Sequence, residues 1–330
     1  MMTTHRTLVV GVNWIGDTLF MTPALRALKQ ADADGHIACL VPPRVAEVLR
    51  HHPAVNELLT YNDRASFWSF GALAATIAKI KRGKFDRAVL FHRSKTKAWM
   101  VRKAGVPESF GFEIPEGRAP MHKIDLFLHQ AQLAGVSAQG RHMEFFPAPE
   151  AAHELEALTV QHDLSLKDRY VVVHAGGNWD LKRWPVLSFV KTIRYYLATL
   201  GLRVILCGTS SDQRVCDEIR SHFTEKEVVS LCGKTSLHTL ALLLKHAQCL
   251  LSNDSGPIHL AASQKTPVLG LFGPTSPELT GPASLGPMKI LWKDVGCTIP
   301  CYYRSCDHRV CMEKLSVAEV CDGTRELLHV

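Results

Sequence analysis

The chain has 330 residues, 46% of them hydrophobic and 21% charged, proportions that exclude disordered, collagen-like and low-complexity classes. At about 100–200 residues per domain, the length suits two domains with a core each. A formal net charge of +7, with 17 histidines able to add to it in mild acid, points to an anionic partner: a nucleotide, a nucleic acid or a membrane surface.

Met1 to Arg6 run straight into Thr7-Leu-Val-Val-Gly-Val, too short an apolar run for a secretory signal and without a cleavage site after it. The longest uncharged stretch, between Arg64 and Lys79, is shorter than the roughly 18 residues that span a bilayer. A cytoplasmic location is expected, and with it reduced thiols. Cys39, Cys207, Cys216, Cys232, Cys249 and Cys321 then read as small buried hydrophobes.

Along the chain, strands and helices alternate. Leu8-Val-Val-Gly-Val is a strand, followed by a helix from about Thr18 to Gln30 and a second strand, Ile37 to Val41, stopped by Pro42 and Pro43. Val45 to Arg50 reads as helix, Leu58 to Tyr61 as extended, Phe67 to Lys81 as helix and Ala88 to Phe91 as strand. Pro147-Ala-Pro149 signals a linker and Glu150 to Gln161 a polar helix. The alternation then restarts with strands at Tyr170–Val173, Arg203–Cys207, Val228–Leu231, Cys249–Ser252 and Val268–Phe272, a strand-like run Lys289–Trp292 and a helix from about Val317 to Leu328. Continuous apolar strands between helices indicate parallel sheets covered on both faces. The expectation is α/β: two Rossmann-like, doubly wound domains, residues 1–165 and 166–330, with ligands beyond the carboxyl ends of the strands and the cleft between the halves as the default site.

The first strand ends in Gly11-Val-Asn-Trp-Ile-Gly16-Asp17, close to a dinucleotide fingerprint. However, Asn13 replaces the glycine that admits a pyrophosphate, and no acidic residue follows the second strand. Asp17 is either a first-turn carboxylate that complements the helix dipole or a base at the mouth of the site. After Val173 comes His174-Ala-Gly176-Gly177-Asn178-Trp179-Asp-Leu-Lys182-Arg183-Trp184-Pro185. Paired glycines free backbone N–H groups, and Lys182 and Arg183 add positive charge, which suits a phosphate or diphosphate. Asn253-Asp254-Ser255-Gly256-Pro257-Ile-His259 starts an apolar helix, whose free N–H groups and dipole favour an anion, although Asp254 or Ser255 could simply cap it. Phe272-Gly-Pro-Thr-Ser-Pro277 is another rigid turn at the same edge.

Taken together and in order, Gly16-Asp17-Thr-Leu-Phe-Met-Thr22-Pro23, His174-Ala-Gly…Lys182-Arg-Trp-Pro, Asn253-Asp-Ser-Gly-Pro-Ile-His259 and Phe272-Gly-Pro-Thr-Ser-Pro resemble the ADP-heptose:lipopolysaccharide heptosyltransferase family over nearly the whole chain. The resemblance implies the GT-B fold, an ADP-heptose donor, a lipopolysaccharide-core acceptor of the lipid A–Kdo type and inversion at the anomeric carbon with no cofactor required. It makes Asp17 the base and Lys182 the residue that meets the donor diphosphate. It places Gly176, Gly177, Asn178, Asp254, Ser255, Gly256 and His259 around the ADP-sugar, with Thr209 and Asp212 toward the ribose. Direct displacement at a sugar carbon needs such a division, a carboxylate on one face and cations and helix dipoles on the other. Asn13, Arg93 and Lys95 are the candidate acceptor contacts. The basic run from Lys79 to Lys103, interrupted only by Asp86, suits an anionic acceptor on the inner face of the inner membrane, and no nucleic-acid motif accompanies it. A GT-B transferase using another nucleotide sugar, or a non-catalytic metal- or nucleotide-binding protein, are the alternatives. Cys297, Cys301, Cys306 and Cys311 form a cluster open to three readings: unmetallated structural thiols, a structural metal site or a disulfide. The last helix is expected to pack back across the first domain.

Overall fold

The computed structural model describes residues 4–62, 70–92, 94–111, 120–137, 140–301, 303 and 305–330. The chain divides into two compact units, Met1–Phe146 and Pro147–Val330. The division falls at the Pro147-Ala-Pro149 signal and not near 165. The reason is helix Ala151–Gln161, whose Ala151 and Leu155 are buried and which packs on helix Leu237–His246 of the second unit. Glu154 accepts hydrogen bonds from Ser236 and Thr239 at the start of that helix.

The first unit holds five strands: β1 (Arg6–Val10), β2 (His36–Val41), β3 (Glu57–Thr60), β4 (Arg87–Leu90) and β5 (Glu108–Phe110). They form one parallel sheet in the order β3-β2-β1-β4-β5, with Leu8 set between Ala38 and Ala88. The strands are apolar because helices cover them. Leu8, Val10, Ala38, Leu40, Ala88 and Leu90 share one buried cluster with Ile80 and Phe85, and Cys39 of β2 is fully buried. The sequence suggests one helix after β1, but there are two, Ile15–Phe20 and Thr22–Ala31. Pro23 carries no N–H to give back to the Leu19 carbonyl, so the helix restarts there, and the Thr22 hydroxyl donates to that carbonyl at 2.8 Å. Helix Phe70–Arg82 occupies most of the expected 67–81; residues 67–69 lie outside the described residues.

The second unit contains β6 (Tyr170–His174), β7 (Arg203–Leu206), β8 (Val228–Ser230), β9 (Cys249–Asn253), β10 (Val268–Leu271) and β11 (Met288–Leu291). All are parallel, in the order β11-β10-β9-β6-β7-β8, and Val172 lies between Ile205 and Leu250. Cys249 is fully buried. The last helix, Val317–Leu328, starts at a capping box of Ser316 and Glu319. It rests on helix Val186–Ala198 and on β10 and β11, where its Thr324 hydroxyl meets the Tyr196 hydroxyl at 2.6 Å. Its Val320 and Leu327 join the core of the second unit.

In each sheet the strand order reverses once, between β1 and β4 and between β6 and β9. The loops leaving the two strands on either side of such a point diverge and open a crevice at their carboxyl ends. The sequence motifs lie on those loops.

Candidate active site

In the first unit the crevice lies between residues 11–14, after β1, and residues 91, 92 and 94, after β4. The Asn13 amide nitrogen is 3.2 Å from His92 Nε2, while its oxygen accepts from the Tyr61 hydroxyl at 3.0 Å and from Lys97 Nζ at 3.3 Å. Lys97 is buried. Its ammonium donates to the Gly11 carbonyl at 3.2 Å and lies 4.9 Å from the Tyr61 ring centre. Burial and the Lys97 charge push the His92 imidazole down to about 4, against a smaller opposing pull from Asp17, so His92 is neutral at pH 7. Trp14 is 60% exposed with the Arg44 guanidinium 5.6 Å from its ring centre, and Arg44 donates to the Asn13 carbonyl at 2.8 Å.

Asp17 stands in the first turn of helix Ile15–Phe20, whose N-cap is Trp14 and which no side chain caps. Its carboxylate turns to Lys123, at 2.7 Å, from the start of helix Lys123–Leu133. Asp17 is thus a first-turn acid that makes no cap hydrogen bond, with its carboxylate paired to one lysine. Lys95 is exposed, and it is Lys97, two residues on, that turns inward to Asn13. Arg93 lies outside the described residues. The basic run does not act as one patch. Lys97 is internal, Lys79 donates to the Thr60 carbonyl and Arg87 to the Thr7 hydroxyl, and the stretch from Lys79 to Arg87 leads into the amino end of β4, the edge away from the crevice.

In the second unit Lys182 ends a single 3-10 turn, Asp180–Lys182, and its ammonium reaches Asp254 Oδ2 at 2.7 Å. The Thr275 hydroxyl donates to the same oxygen at 2.6 Å. Asp254 is 5% exposed, so its charge depends on these two donors. Asn253 fastens the loops to one another. Its amide nitrogen donates to the Ala175 and Gly176 carbonyls at 2.9 and 3.0 Å, and its oxygen accepts from the Trp184 N–H at 3.0 Å. Ser255 occupies the N-cap position of helix Gly256–Ser263 without a side-chain cap bond; its hydroxyl instead lies 2.9 Å from His174 Nε2. No side-chain hydrogen bond from Asp254 or Ser255 caps the helix; in its first turn Pro257 has no N–H, and the Ile258 N–H donates to the Ser255 carbonyl at 3.2 Å. His259 is buried in that helix.

Asp212 organises the next loop. It accepts from the Thr209 N–H at 2.9 Å, the Thr209 hydroxyl at 2.8 Å and the Gly177 N–H at 3.1 Å. Burial raises its carboxyl, but these donors outweigh burial and hold it below the usual carboxylate range. Gly177 has φ +147°, open to glycine and strained for other residues, and Arg183 donates twice to its carbonyl, at 3.1 and 2.5 Å. Gly176 is required by space, since a Cβ there would land on the Asp212 carboxylate. Asn178 is exposed at the tip of the loop.

Cys297 is exposed, Cys301, Cys306 and Cys311 are half-buried, and all four are free thiols. Cys306 meets His308 Nδ1 at 3.7 Å, but among the described residues no three His, Cys, Asp or Glu side chains are arranged to hold a metal ion. Sequence reasoning missed Lys97, Lys123, His92 and Thr275 as partners of the motif residues. Their signals are a lysine, a histidine or a threonine within a few residues of a strand or helix end, too common to single out before folding.

Residues 74–307 match the model of glycosyltransferase family 9 (heptosyltransferase). Lipopolysaccharide heptosyltransferase 3 of Escherichia coli K12 is 28% identical over 293 residues, 79% of this chain and 80% of that protein. A glycosyl transferase family 9 structure from Veillonella parvula superposes with a TM-score of 0.85 at 21% identity, covering 100% of this chain and 99% of that one. The E. coli ADP-heptose lps heptosyltransferase II superposes at 0.80 with 20% identity, covering 98% of each. The two parallel-sheet units are those of the GT-B fold, and with a family match across most of its length, this chain belongs to glycosyltransferase family 9, the heptosyltransferases.

Proposed function

We propose that the protein transfers heptose from ADP-L-glycero-D-manno-heptose to the inner core of lipopolysaccharide, with inversion at the anomeric carbon. The observation that carries the reading is the meeting of Lys182, Asp254 and Thr275 on one carboxylate oxygen, from three strand-end loops of the second unit. That meeting sets a cation beside the N-terminus of helix Gly256–Ser263, whose dipole favours an anion there, a site for a diphosphate. Asp212 and Thr209 lie next to it for the nucleotide ribose, with Gly176, Gly177 and Asn178 along the loop. In the reaction Asp17 takes the proton of the acceptor hydroxyl as its oxygen bonds to the anomeric carbon. The bond from that carbon to the β-phosphate oxygen breaks, and its electron pair leaves with ADP. Lys182 and the helix N-terminus carry the developing charge, so the transfer step asks for no cofactor.

The crevice at Asn13, His92 and Asp17 receives the acceptor. The donor and acceptor follow from the relatives' names, lipopolysaccharide heptosyltransferase and ADP-heptose lps heptosyltransferase. No helix among the described residues is long and apolar enough to cross a membrane. The reading places the enzyme in the cytoplasm, peripherally on the inner membrane where a lipid-anchored acceptor is presented, with exposed Lys95, Arg102 and Lys103 toward anionic headgroups. The test is a transfer assay with the full chain, Kdo-lipid A acceptors truncated at successive core sugars, and ADP-heptose beside UDP- and GDP-sugars. Product mass should rise by one heptose with ADP-heptose alone. Preference for another nucleotide sugar, or ADP binding without transfer, would refute the reading.

A further inference from the structure

The cysteine-rich segment takes no part in that reaction, yet its backbone and side chains lead to both loops that meet at Asp254. Arg309 is the clearest link. It sits at φ +35°, the left-handed region, as the N-cap of helix Val310–Glu313, a conformation most side chains avoid. From there its Nη2 donates to the carbonyls of Asp180, at 3.0 Å, and Arg183, at 2.5 Å. These residues bracket Leu181 and Lys182. One turn away, the Leu315 carbonyl accepts from the indole N–H of buried Trp184 at 2.9 Å. The same segment holds the other loop. The Cys301 N–H donates to the Pro274 carbonyl at 2.7 Å, and Met312 and Cys311 press on Gly273 so closely that a Cβ there would strike the Met312 sulfur. The residue after Pro274 is Thr275, the second donor to Asp254.

We propose that Arg309 is a positioning residue for Lys182. An isolated 3-10 turn has poor hydrogen-bond geometry and little stability of its own. Here its backbone bonds run from the Lys182 N–H to the Trp179 carbonyl at 3.1 Å and from the Arg183 N–H to the Asp180 carbonyl at 3.0 Å. By holding the Asp180 carbonyl, which accepts that second bond, and the carbonyl of Arg183, whose N–H donates it, the guanidinium fixes the turn's height and rotation. It thereby fixes the place where the ammonium stands at Asp254 and meets the donor diphosphate. A planar fork at the end of a long stem suits this task. A lysine in its place keeps the charge but has a shorter reach and no fixed plane, and cannot hold both carbonyls in the same geometry.

The inference rests on the donor-site reading above, and a double-mutant cycle on the full chain separates the two. ADP affinity is measured by calorimetry for Lys182→Ala, Arg309→Ala, Arg309→Lys and Lys182→Ala/Arg309→Ala, with donor and acceptor KM from the transfer assay. Arg309→Ala should weaken ADP binding about tenfold, the scale of lost charge-assisted hydrogen bonds, and raise the donor KM with the acceptor KM unchanged. Arg309→Lys should show most of that loss even though the charge remains. The double variant should bind ADP no worse than Lys182→Ala alone, because a misplaced turn matters only through the lysine it carries. Additive losses would mean that Arg309 acts on the donor by another route, and full rescue by Arg309→Lys would mean that its charge, not its hold on the carbonyls, matters; either overturns the proposal. Wild-type ADP affinity in Arg309→Ala, with Lys182→Ala weakened, overturns it as well. Wild-type affinity in Lys182→Ala would instead refute the donor site itself. Should Arg309→Ala not fold, Arg309→Lys enters the same cycle in its place.

Discussion

Replacing Asp17 by Asn separates the catalytic account of this carboxylate from every structural one. The side chain makes no helix cap, so the variant loses nothing there. Its ion pair with Lys123 joins side chains 21% and 40% exposed, and screening at that exposure limits its contribution to about 1 kcal/mol or less. As a first-turn acid it adds about 0.3–1 kcal/mol through the helix dipole. Loss of a general base, by contrast, costs about 10²–10⁴ in rate, or about 3–5 kcal/mol of barrier at 1.36 per factor of ten. Asp17→Asn should therefore cut turnover at least about 100-fold with unchanged ADP affinity and a barely moved urea midpoint. Lys123→Met, which breaks the same ion pair but keeps the carboxylate, should lose far less turnover. ADP release with a Kdo-lipid A acceptor, read beside a denaturation curve, gives both quantities. Retention of more than about a tenth of wild-type turnover in Asp17→Asn would remove it as the base.

Gly176→Ala should push the Asp212 carboxylate off its donors, lowering stability by about 1–3 kcal/mol and weakening ADP; a wild-type urea midpoint would show that the loop relaxes freely. Thr275→Val keeps the shape but removes one of two donors to a buried carboxylate, and should cost about 1.5–3 kcal/mol in a denaturant titration of the second unit; no loss would mean that Asp254 relies on Lys182 alone. Burial, helped by the Arg26 charge, pushes His52 down to about 4, and burial with Lys97 does the same to His92. Both are neutral when folded and take a proton near 6.5 when unfolded, so the unfolded state gains protons first as pH falls and stability declines from about pH 6.5 toward 4. For His52 the full loss is about 3 kcal/mol. Urea curves at pH 7, 6 and 5 should show the decline and His52→Gln should flatten it; an unchanged midpoint from 7 to 5 would contradict the burial argument.

The strands of the second unit were legible almost to the residue, because β6, β7 and β9 are covered on both faces and so are written as unbroken apolar runs. β5, only three residues long with Glu108 and Ser109 exposed, carries no such run and was missed, as was helix Lys123–Leu133. The restart at Met21 was legible in principle from Pro23, but its effect lies in a hydrogen bond that the proline cannot make. The extent of the first domain was misjudged because Ala151–Gln161 mixes apolar and polar residues, and its allegiance is decided by two buried side chains, Ala151 and Leu155. At the site, the glycines and the motif acids were readable because turns and phosphate chemistry restrict residue type. Their partners were not: Lys123 lies 106 positions from Asp17 and Arg309 lies 126 from Arg183, and only the fold makes them neighbours.

The deep burial of Cys39 in β2 and Cys249 in β9 has a practical use. Burial raises the Cys39 thiol far above its ordinary value and the Cys249 thiol to about 12, and only the thiolate attacks an alkylating reagent. Both are silent while their strands stay paired and reactive once the strands open. Cys39 is the first unit's single cysteine, so its alkylation rate under mild denaturant clocks the opening of that unit, and Cys249, resolved by peptide mass, clocks the other. Each sheet thus carries an unfolding reporter on one of its interior strands, and the local stability of the two halves of this transferase can be read separately in one tube without introducing a probe.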